Sequence, residues 1–274
     1  MGMAIRQIEV SCVAWMDLLG YGSMLKESYF DPFNPLSRKA INRLHRFHKI
    51  VSDKAERNFD IIGLNDGIAA FRDLSIRSSS VSFDFLKKSL ELFQAVIDAE
   101  RVDDYPGARM VIATGYRIRG ENDVIFPDEI KPLLNKLKRG LIDPMQAVHE
   151  ASRARPHFGI IPELQANFAF TKAYLVDEGG SKAGFGGANC YIDLNLFNNQ
   201  LTEWIKFSKV VEWNGMNMSS RFGLFESINT ELANKMAFNG ILNALEISNI
   251  LSGSTDSTLK MLASRITKNL RAEK

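Results

Sequence analysis

Two aspartates lie where the sequence pattern predicts the ends of β-structure. Asp17 directly follows an apolar run at 7–16 (QIEVSCVAWM), and Asp66 lies in an Asn-Asp-Gly triplet between two short apolar runs. Asp-Gly in that setting is typical of a hairpin turn, because the turn needs positive φ. If the strand and the hairpin are neighbours in one sheet, both carboxylates emerge at the same edge. Aspartates also occupy strand ends and turns for structural reasons, so the prediction depends on the pair.

Carboxylate oxygens are the ligands that hard divalent ions prefer, and Mg²⁺ commonly uses one or two carboxylates together with substrate phosphates. Two Mn²⁺ or Mg²⁺ ions held by Asp17 and Asp66 would activate an attacking hydroxyl and neutralise the charge on a leaving pyrophosphate. Leu19, Gly20 and Tyr21 open a short predicted helix, and backbone N–H groups at a helix start favour phosphate oxygens. The pattern therefore predicts a metal site that also binds a nucleoside triphosphate.

The elements that must position this site follow from hydrophobic spacing. Apolar and turn residues predict, in chain order, a strand at 7–16, a helix at 36–57, a hairpin at 59–71, a helix at 80–101 and a strand at 109–115. This order favours an α+β sandwich, with a largely antiparallel sheet and helices packed on one of its faces.

The second half of the chain shows weaker patterns. Further helices are predicted at 128–139, 143–154, 163–177, 229–250 and 255–271, and further strands at 189–194, 203–213 and 219–226. Neither an internal repeat nor an interdomain linker is evident, so we expect one domain over residues 1–274.

Composition narrows the classes of function. The chain has 274 residues, 45% of them hydrophobic, which is enough for a real core. Its 34 Lys+Arg against 32 Asp+Glu give no electrostatic case for a nucleic-acid binder. An uninterrupted apolar run of about 18 residues is absent, so no membrane span is predicted. Cys12 and Cys190 lack partners at metal-site spacing, which favours free thiols in a reducing cytoplasm.

Three segments resemble those of the class III nucleotidyl cyclases. Residues 13–22 (VAWMDLLGYG) are similar to that family's first metal-aspartate motif, and residues 65–71 (NDGIAAF) to its second metal hairpin. Residues 109–115 (RMVIATG) resemble its buried strand of the Arg-x-Gly-Ile-His-Thr-Gly kind. The resemblance covers roughly residues 8–176 and leaves the strands and helices of 177–274 outside it. It is closest to the pyrimidine cyclases of bacterial Pycsar anti-phage systems, which make cyclic CMP or cyclic UMP.

The resemblance implies a class III cyclase-like fold and a head-to-tail homodimer with two active sites at its interface. Asp17 and Asp66 inherit the metal role, and the backbone carbonyl of Leu18 inherits a supporting metal contact. The implied reaction converts UTP, or CTP, to the 3′,5′-cyclic nucleotide and pyrophosphate. The product would act as a second messenger during phage infection and trigger a separate effector.

Residues 170–175 (FTKAYL) resemble the segment where purine cyclases carry Val-Asn-x-Ala-x-Arg. In that register Thr171 replaces the asparagine and Leu175 replaces the transition-state arginine. Either Lys172 or another base substitutes for it, or the register is different. The alternative for Lys172 is an ordinary solvated residue on a helix surface.

Base recognition also departs from the family pattern. Ile62 occupies the position of the adenine-reading lysine, which disfavours an adenine pocket of the usual type. Arg57 is a weaker candidate for reading the base. Arg109 could contact the triphosphate through its forked guanidinium, or serve as a structural ion-pair partner.

Two other functions stay open. The first is a catalytically inactive nucleotide-binding or scaffold protein with a cyclase-like fold, which the substitutions at Thr171 and Leu175 support. The second is another two-metal phosphoryl-transfer enzyme, although the hairpin lacks the Gly-Gly-Asp/Glu-Glu-Phe signature of diguanylate cyclases.

Overall fold

The computed structural model describes residues 7–119, 130–153, 161–198 and 202–252. The strands are β1 (Gln7–Leu18), β2 (Asp60–Leu64), β3 (Gly67–Asp73), β4 (Ala108–Arg119), β5 (Cys190–Asp193), β6 (Ile205–Gly215) and β7 (Met218–Ile228). The α-helices are α1 (Tyr21–Glu27), α2 (Pro35–Lys54), α3 (Ser80–Val102), α4 (Ile130–Lys138), α5 (Pro144–Arg153), α6 (Phe168–Gly179), α7 (Thr230–Lys235) and α8 (Ala244–Ser252). Across this part of the chain, no helix combines the length and the apolar character that crossing a bilayer requires.

The chain divides into two compact units. Among the described residues, one unit comprises 7, 118–119, 130–153 and 161–166 and contains α4 and α5, whereas the other comprises 8–117, 167–198 and 202–252 and contains most of the sheet. The expectation of one domain over 1–274 stays a prediction.

In the described part of the chain, the sheet has seven strands in the order β2-β3-β1-β4-β5-β7-β6. β3 pairs antiparallel with both β1 and β2, and β7 pairs antiparallel with both β5 and β6, whereas β4 and β5 run parallel. The predicted α+β class with a largely antiparallel sheet is therefore confirmed.

Helices cover both faces of the sheet. On one face, Cys12, Ala14 and Met16 of β1 join a core cluster with Phe47 of α2 and Phe85 of α3. The expectation of helices on a single face is wrong, because α6 packs on the opposite face. A Cβ added to Gly115 of β4 would lie 2.6 Å from the backbone nitrogen of Ala169 in α6. The apolar run of β1 reflects this arrangement, since strands buried on both faces lose the usual alternation with polar residues.

The predicted hairpin forms as expected and presents Asp66 at its tip. Leu64 of β2 pairs with Gly67 of β3, which leaves Asn65 and Asp66 in the turn. Asn65 has φ 60°, the left-handed conformation that two-residue hairpin turns require and that asparagine tolerates. A Cβ on Gly67 would lie 2.5 Å from the Trp15 ring, so glycine at this position also leaves room for that ring.

The expectation of one helix over 229–250 is wrong, because α7 ends at Lys235 and α8 begins at Ala244. Between them Ala237, Phe238 and Gly240 all have positive φ, which stops a right-handed helix. Phe238 instead stacks on Phe83 of α3, with ring centroids 4.6 Å apart. The helix expected at 255–271 lies outside the described residues.

Candidate functional site

The β1–β3 pairing brings the two predicted metal aspartates together. Asp17 near the end of β1 lies opposite Gly67, the residue that follows Asp66 in the hairpin. The Leu18 backbone N–H donates to the Asp66 carbonyl oxygen at 3.2 Å, which fixes the hairpin tip against the end of the strand. Asn65 Nδ2 donates to Asp66 Oδ1 at 2.9 Å. The expected adjacency of strand and hairpin is confirmed, and the metal role of the pair stays a prediction.

Among the described residues, the negative charge of the Asp17 carboxylate is largely uncompensated. The residue is half-buried, and none of the described residues donates a hydrogen bond to its side chain. Burial, followed by the nearby carboxylates of Asp66 and Asp177, raises the pKa of Asp17 to about 7. Arg109 and Arg43 lower that pKa without cancelling the rise. A partly desolvated carboxylate beside like charges is an arrangement that a bound cation would stabilise.

The donor set suits a hard cation that shares its coordination with a substrate. Among the described residues, no group of three or more His, Cys, Asp or Glu side chains could hold a metal ion. Asp17 and Asp66 would therefore supply only part of the coordination sphere. Mg²⁺ and Mn²⁺ accept such sites, since they retain waters and take further oxygens from substrate phosphates. The residues present fit the predicted ions on these terms, with the Leu18 carbonyl as a predicted backbone ligand.

The turn after Asp17 lies beside the Asp17–Asp66 pair, and one of its backbone N–H groups already donates a hydrogen bond within the protein. The Leu19 N–H donates to the Gly107 carbonyl oxygen at 2.9 Å, so this amide is not available to a phosphate. Gly20 adopts φ 75° at the start of α1. Tyr21 is buried, and burial together with the charge of Asp66 raises its pKa. Of the three predicted phosphate ligands, the backbone N–H groups of Gly20 and Tyr21 therefore remain candidates. Their contact with phosphate stays a prediction.

Arg109 is tied into the protein by three hydrogen bonds. Its Nε donates to Asp177 Oδ1 at 2.5 Å, its Nη2 to the Asp177 carbonyl at 2.8 Å, and its Nη1 to the Phe185 carbonyl at 3.1 Å. Trp15 Nε1 donates to the other oxygen of Asp177 at 3.0 Å. Arg109 thus has the structural ion pair that its sequence allowed, and its predicted triphosphate contact stays untested.

Lys172 and Thr171 also have partners within the chain. Lys172 is 4% exposed, and its Nζ donates to Asp193 Oδ2 at 2.5 Å. This buried position corrects the expectation of a solvated residue on a helix surface. Thr171 Oγ1 donates to the Asn167 carbonyl at 3.3 Å, across one turn of α6. The nucleotide-binding roles of both residues stay predictions.

The two base-pocket candidates lie at different distances from the hairpin tip. Ile62 is half-buried in β2 and pairs with Ala69. Arg57 is exposed and precedes β2 at the end remote from Asp66. Since the five residues of β2 span about 17 Å at strand rise, the fold does not bring Arg57 to the carboxylate pair within one chain.

Sequence reasoning missed two charged residues that act on this region, Arg43 and Asp177. Both influence the pKa of Asp17. Arg43 could have been found, because Ala40, Arg43, Phe47 and Val51 recur at helical spacing and form the buried face of α2. A charge on that face predicts a buried partner. Asp177 gave no comparable signal, since it lies at the end of a mixed helix.

Comparisons with known proteins give weak similarities only. No protein-family model matches the sequence, and none of the curated proteins matches it significantly. Among solved structures, the chain is similar to the adenylyl cyclase CyaB from P. aeruginosa, with 12% identity and a TM-score of 0.46 over 82% of this chain and 97% of that one. It is also similar to the guanylyl cyclase Cya2, with 11% identity and a TM-score of 0.44 over 82% and 95%. A bacterial light-regulated adenylyl cyclase gives 9% and 0.45 over 84% and 97%. Similarity at this level does not determine an activity.

Proposed function

We propose that this protein is a metal-dependent nucleotidyl cyclase that acts on a pyrimidine nucleoside triphosphate, with UTP favoured over CTP. The products would be the 3′,5′-cyclic nucleotide and pyrophosphate. The enzyme would work in the cytoplasm as a homodimer with shared sites. Its product would serve as an anti-phage second messenger read by a separate effector.

The observation that carries the proposal is the pairing of Asp17 with the Asp66 hairpin. The β1–β3 register sets Asp17 opposite Gly67, and the pKa of Asp17 is raised to about 7 by burial and by Asp66. The motif resemblance around both aspartates supports the cyclase class over other two-metal enzymes. The pyrimidine preference rests on that resemblance and on Ile62, which stands where adenylyl cyclases carry a lysine.

Asp17 and Asp66 would hold two Mn²⁺ or Mg²⁺ ions, which supply charge neutralisation at the triphosphate and lower the pKa of the ribose 3′-hydroxyl. The chain's own contribution is to orient the substrate beside the hairpin tip. In the reaction the 3′-oxygen forms a bond to the α-phosphorus, the bond to pyrophosphate breaks, and the hydroxyl proton passes to water. The amides of Gly20 and Tyr21 would hold phosphate oxygens in place.

A panel of UTP, CTP, ATP and GTP, each with Mn²⁺ or Mg²⁺, tests the proposal, with products identified by mass spectrometry. We expect cyclic UMP or cyclic CMP with an equimolar amount of pyrophosphate. Asp17→Asn and Asp66→Asn should each reduce turnover at least about 100-fold, which corresponds to the several kcal/mol that metal ions contribute. Asp53→Asn is the matched control, because Asp53 is an exposed aspartate on α2. Absence of any cyclic product and of pyrophosphate from all four nucleotides would reject the enzyme.

The shared-site homodimer has its own test. Activity per chain should fall on dilution as dimers dissociate, and sedimentation should follow the same concentration dependence. A monomer that keeps full activity at high dilution would reject the shared site.

One observation favours the alternative of a catalytically inactive nucleotide-binding or scaffold protein. On α6, Thr171 and Leu175 stand where purine cyclases carry asparagine and arginine, and the neighbouring Lys172 is bound to Asp193. Calorimetric titration with UTP and Mn²⁺ separates the two functions. Tight binding without turnover of any nucleotide would support the alternative.

A further inference from the structure

Arg43 is a buried cation inside the same unit as the carboxylate pair. It lies on α2 and is 1% exposed. Its Nε donates to Glu100 Oε2 at 2.8 Å, and its Nη2 contacts the same oxygen. The guanidinium also lies over the Tyr105 ring, with its carbon 4.7 Å from the ring centroid. Glu100 therefore neutralises the buried charge, as a charge removed from water requires.

The same guanidinium reaches the backbone that follows Asp17. Arg43 Nη2 donates to the Leu19 carbonyl at 2.9 Å and to the Gly107 carbonyl at 3.2 Å. These two residues are also joined directly, because the Leu19 N–H donates to the Gly107 carbonyl. Arg43 thus links α2 both to the turn after β1 and to the start of β4.

We infer that Arg43 is a positioning residue that holds the turn after Asp17, and with it the proposed metal and phosphate ligands, in their places against β4. The inference rests on the proposed function, because it assigns Arg43 to the same site. Leu19 is two residues from Asp17 and adjacent to Gly20, so a shift of its backbone displaces both.

An arginine is needed for this contact. The planar guanidinium carries five N–H donors in a fixed fork, so one group can serve a carboxylate and two carbonyls together. A lysine would keep the positive charge beside Glu100, but a single ammonium on a flexible stem does not reproduce the fork.

Arg46 provides a matched control one turn along α2. Its Nη2 lies 3.5 Å from Glu100 Oε1, its guanidinium lies 5.7 Å from the Tyr105 ring centroid, and it pairs with Asp103. Within the described residues it donates no hydrogen bond to Leu19 or Gly107. Arg46 therefore shares the acidic and aromatic partners of Arg43 but not its contact with the turn.

The test compares Arg43→Lys with Arg46→Lys by two measurements that do not need turnover. Hydrogen exchange, followed by mass spectrometry on peptides covering residues 17–22, reports whether the Leu19 amide stays protected. Electron paramagnetic resonance of free Mn²⁺ gives the metal affinity. We expect faster exchange in the turn and about 10- to 100-fold weaker Mn²⁺ binding in Arg43→Lys, the range typical of residues that orient metal ligands. Arg46→Lys should change the Mn²⁺ affinity by less than about twofold, since a partly exposed ion pair contributes little.

Equal exchange and equal Mn²⁺ affinity in the two variants would overturn the inference. If Arg43→Lys does not fold, the double variant Arg43→Met/Glu100→Leu removes the contact with the turn while leaving an apolar interior, an exchange that is often neutral for stability. The same losses are expected in that variant, and normal turn protection with normal Mn²⁺ binding would again overturn the inference.

The outcomes also separate this inference from the proposed function. Mn²⁺ binding that depends on Arg43, in a protein that cyclises no nucleotide, would reject the cyclase and keep the positioning role. Active enzyme with an unaffected Arg43→Lys variant would reject only the positioning role. A wild-type chain that binds neither Mn²⁺ nor a triphosphate would overturn both.

Discussion

Two aspartates in the same unit meet opposite environments. Asp17 at the end of β1 is half-buried, no described residue donates a hydrogen bond to its carboxylate, and its pKa is raised to about 7. Asp193 at the end of β5 is fully buried and accepts hydrogen bonds at both oxygens. The donors are Lys172 Nζ, the Thr114 backbone N–H and Oγ1, Ser220 Oγ and the Asn195 backbone N–H.

The two aspartates differ in whether groups of the protein compensate their negative charge. Burial alone would raise the pKa of Asp193, but the Lys172 ammonium and the hydrogen bonds from Lys172 and Ser220 hold it below the ordinary value. The protein supplies every partner that Asp193 needs, so this carboxylate stabilises the fold. Asp17 receives mostly repulsion from Asp66 and Asp177. A carboxylate to which the described residues donate no hydrogen bond is available to an external cation, which is what a binding site requires.

The largest effect is expected when the cation of the buried Lys172–Asp193 ion pair is removed. Lys172→Met keeps the side-chain volume but leaves the Asp193 charge buried without its counter-ion, so the free energy of unfolding should fall by about 3–5 kcal/mol. Urea denaturation followed by circular dichroism measures the change. A loss below about 1 kcal/mol would mean that the other hydrogen bonds to Asp193 suffice.

The second largest effect is the stabilisation that we expect from Mn²⁺ bound by Asp17 and Asp66. Mn²⁺ at 100 times its dissociation constant should raise the free energy of unfolding by about 2.7 kcal/mol, because the ion binds only the folded chain. Thermal or urea unfolding with and without Mn²⁺ should show this gain in wild type and in Lys172→Met. Neither Asp17→Asn nor Asp66→Asn should show it, and an undiminished gain in both would place the metal elsewhere.

The stability difference between wild type and Lys172→Met should depend on pH. In wild type the lowered pKa of Asp193 stabilises the fold at neutral pH, and this contribution is lost as pH falls through that pKa. In the variant, burial without Lys172 should raise the pKa of Asp193. Protonation at low pH then removes the uncompensated buried charge and stabilises the variant. The difference in the free energy of unfolding should therefore shrink as the pH falls from 7 to 3. A difference that stays constant over this range would show that Asp193 does not titrate as argued.

The smallest effect is a stabilisation by Asp17→Asn in metal-free buffer. The raised pKa of Asp17 means that the folded chain loses stability as pH rises between the ordinary aspartate value of about 4 and the folded value of about 7. The variant should then exceed wild type by about 1 kcal/mol at pH 8, after allowance for solvent screening, and match it near pH 4. Asp53→Asn should show no such gain. Equal stabilities of Asp17→Asn and wild type at pH 8 would contradict the electrostatic argument.

Sequence reasoning reached the parts of this protein whose signals are local. The hairpin at Asp66 was predictable because Asn-Asp-Gly encodes its own turn, and β1 was predictable from its continuous apolar run. The break between α7 and α8 was not, since Ala237 and Phe238 do not favour positive φ by themselves. Their conformation depends on Phe238 stacking on Phe83, a contact between residues far apart in the chain.

The sequence by itself determined that two carboxylates sit at the ends of β-structure, and that one of them lies in a hairpin turn. The tertiary structure decided which charges those carboxylates face, because β1–β3 pairing and the packing of α2 and α6 join residues from distant positions. That packing places Lys172 in a buried ion pair with Asp193 and Arg109 in an ion pair with Asp177. It also places Arg43 within hydrogen-bond distance of the turn after Asp17. Local pattern specifies where a side chain lies along its element, whereas the partners of a buried charge are set only when the elements pack.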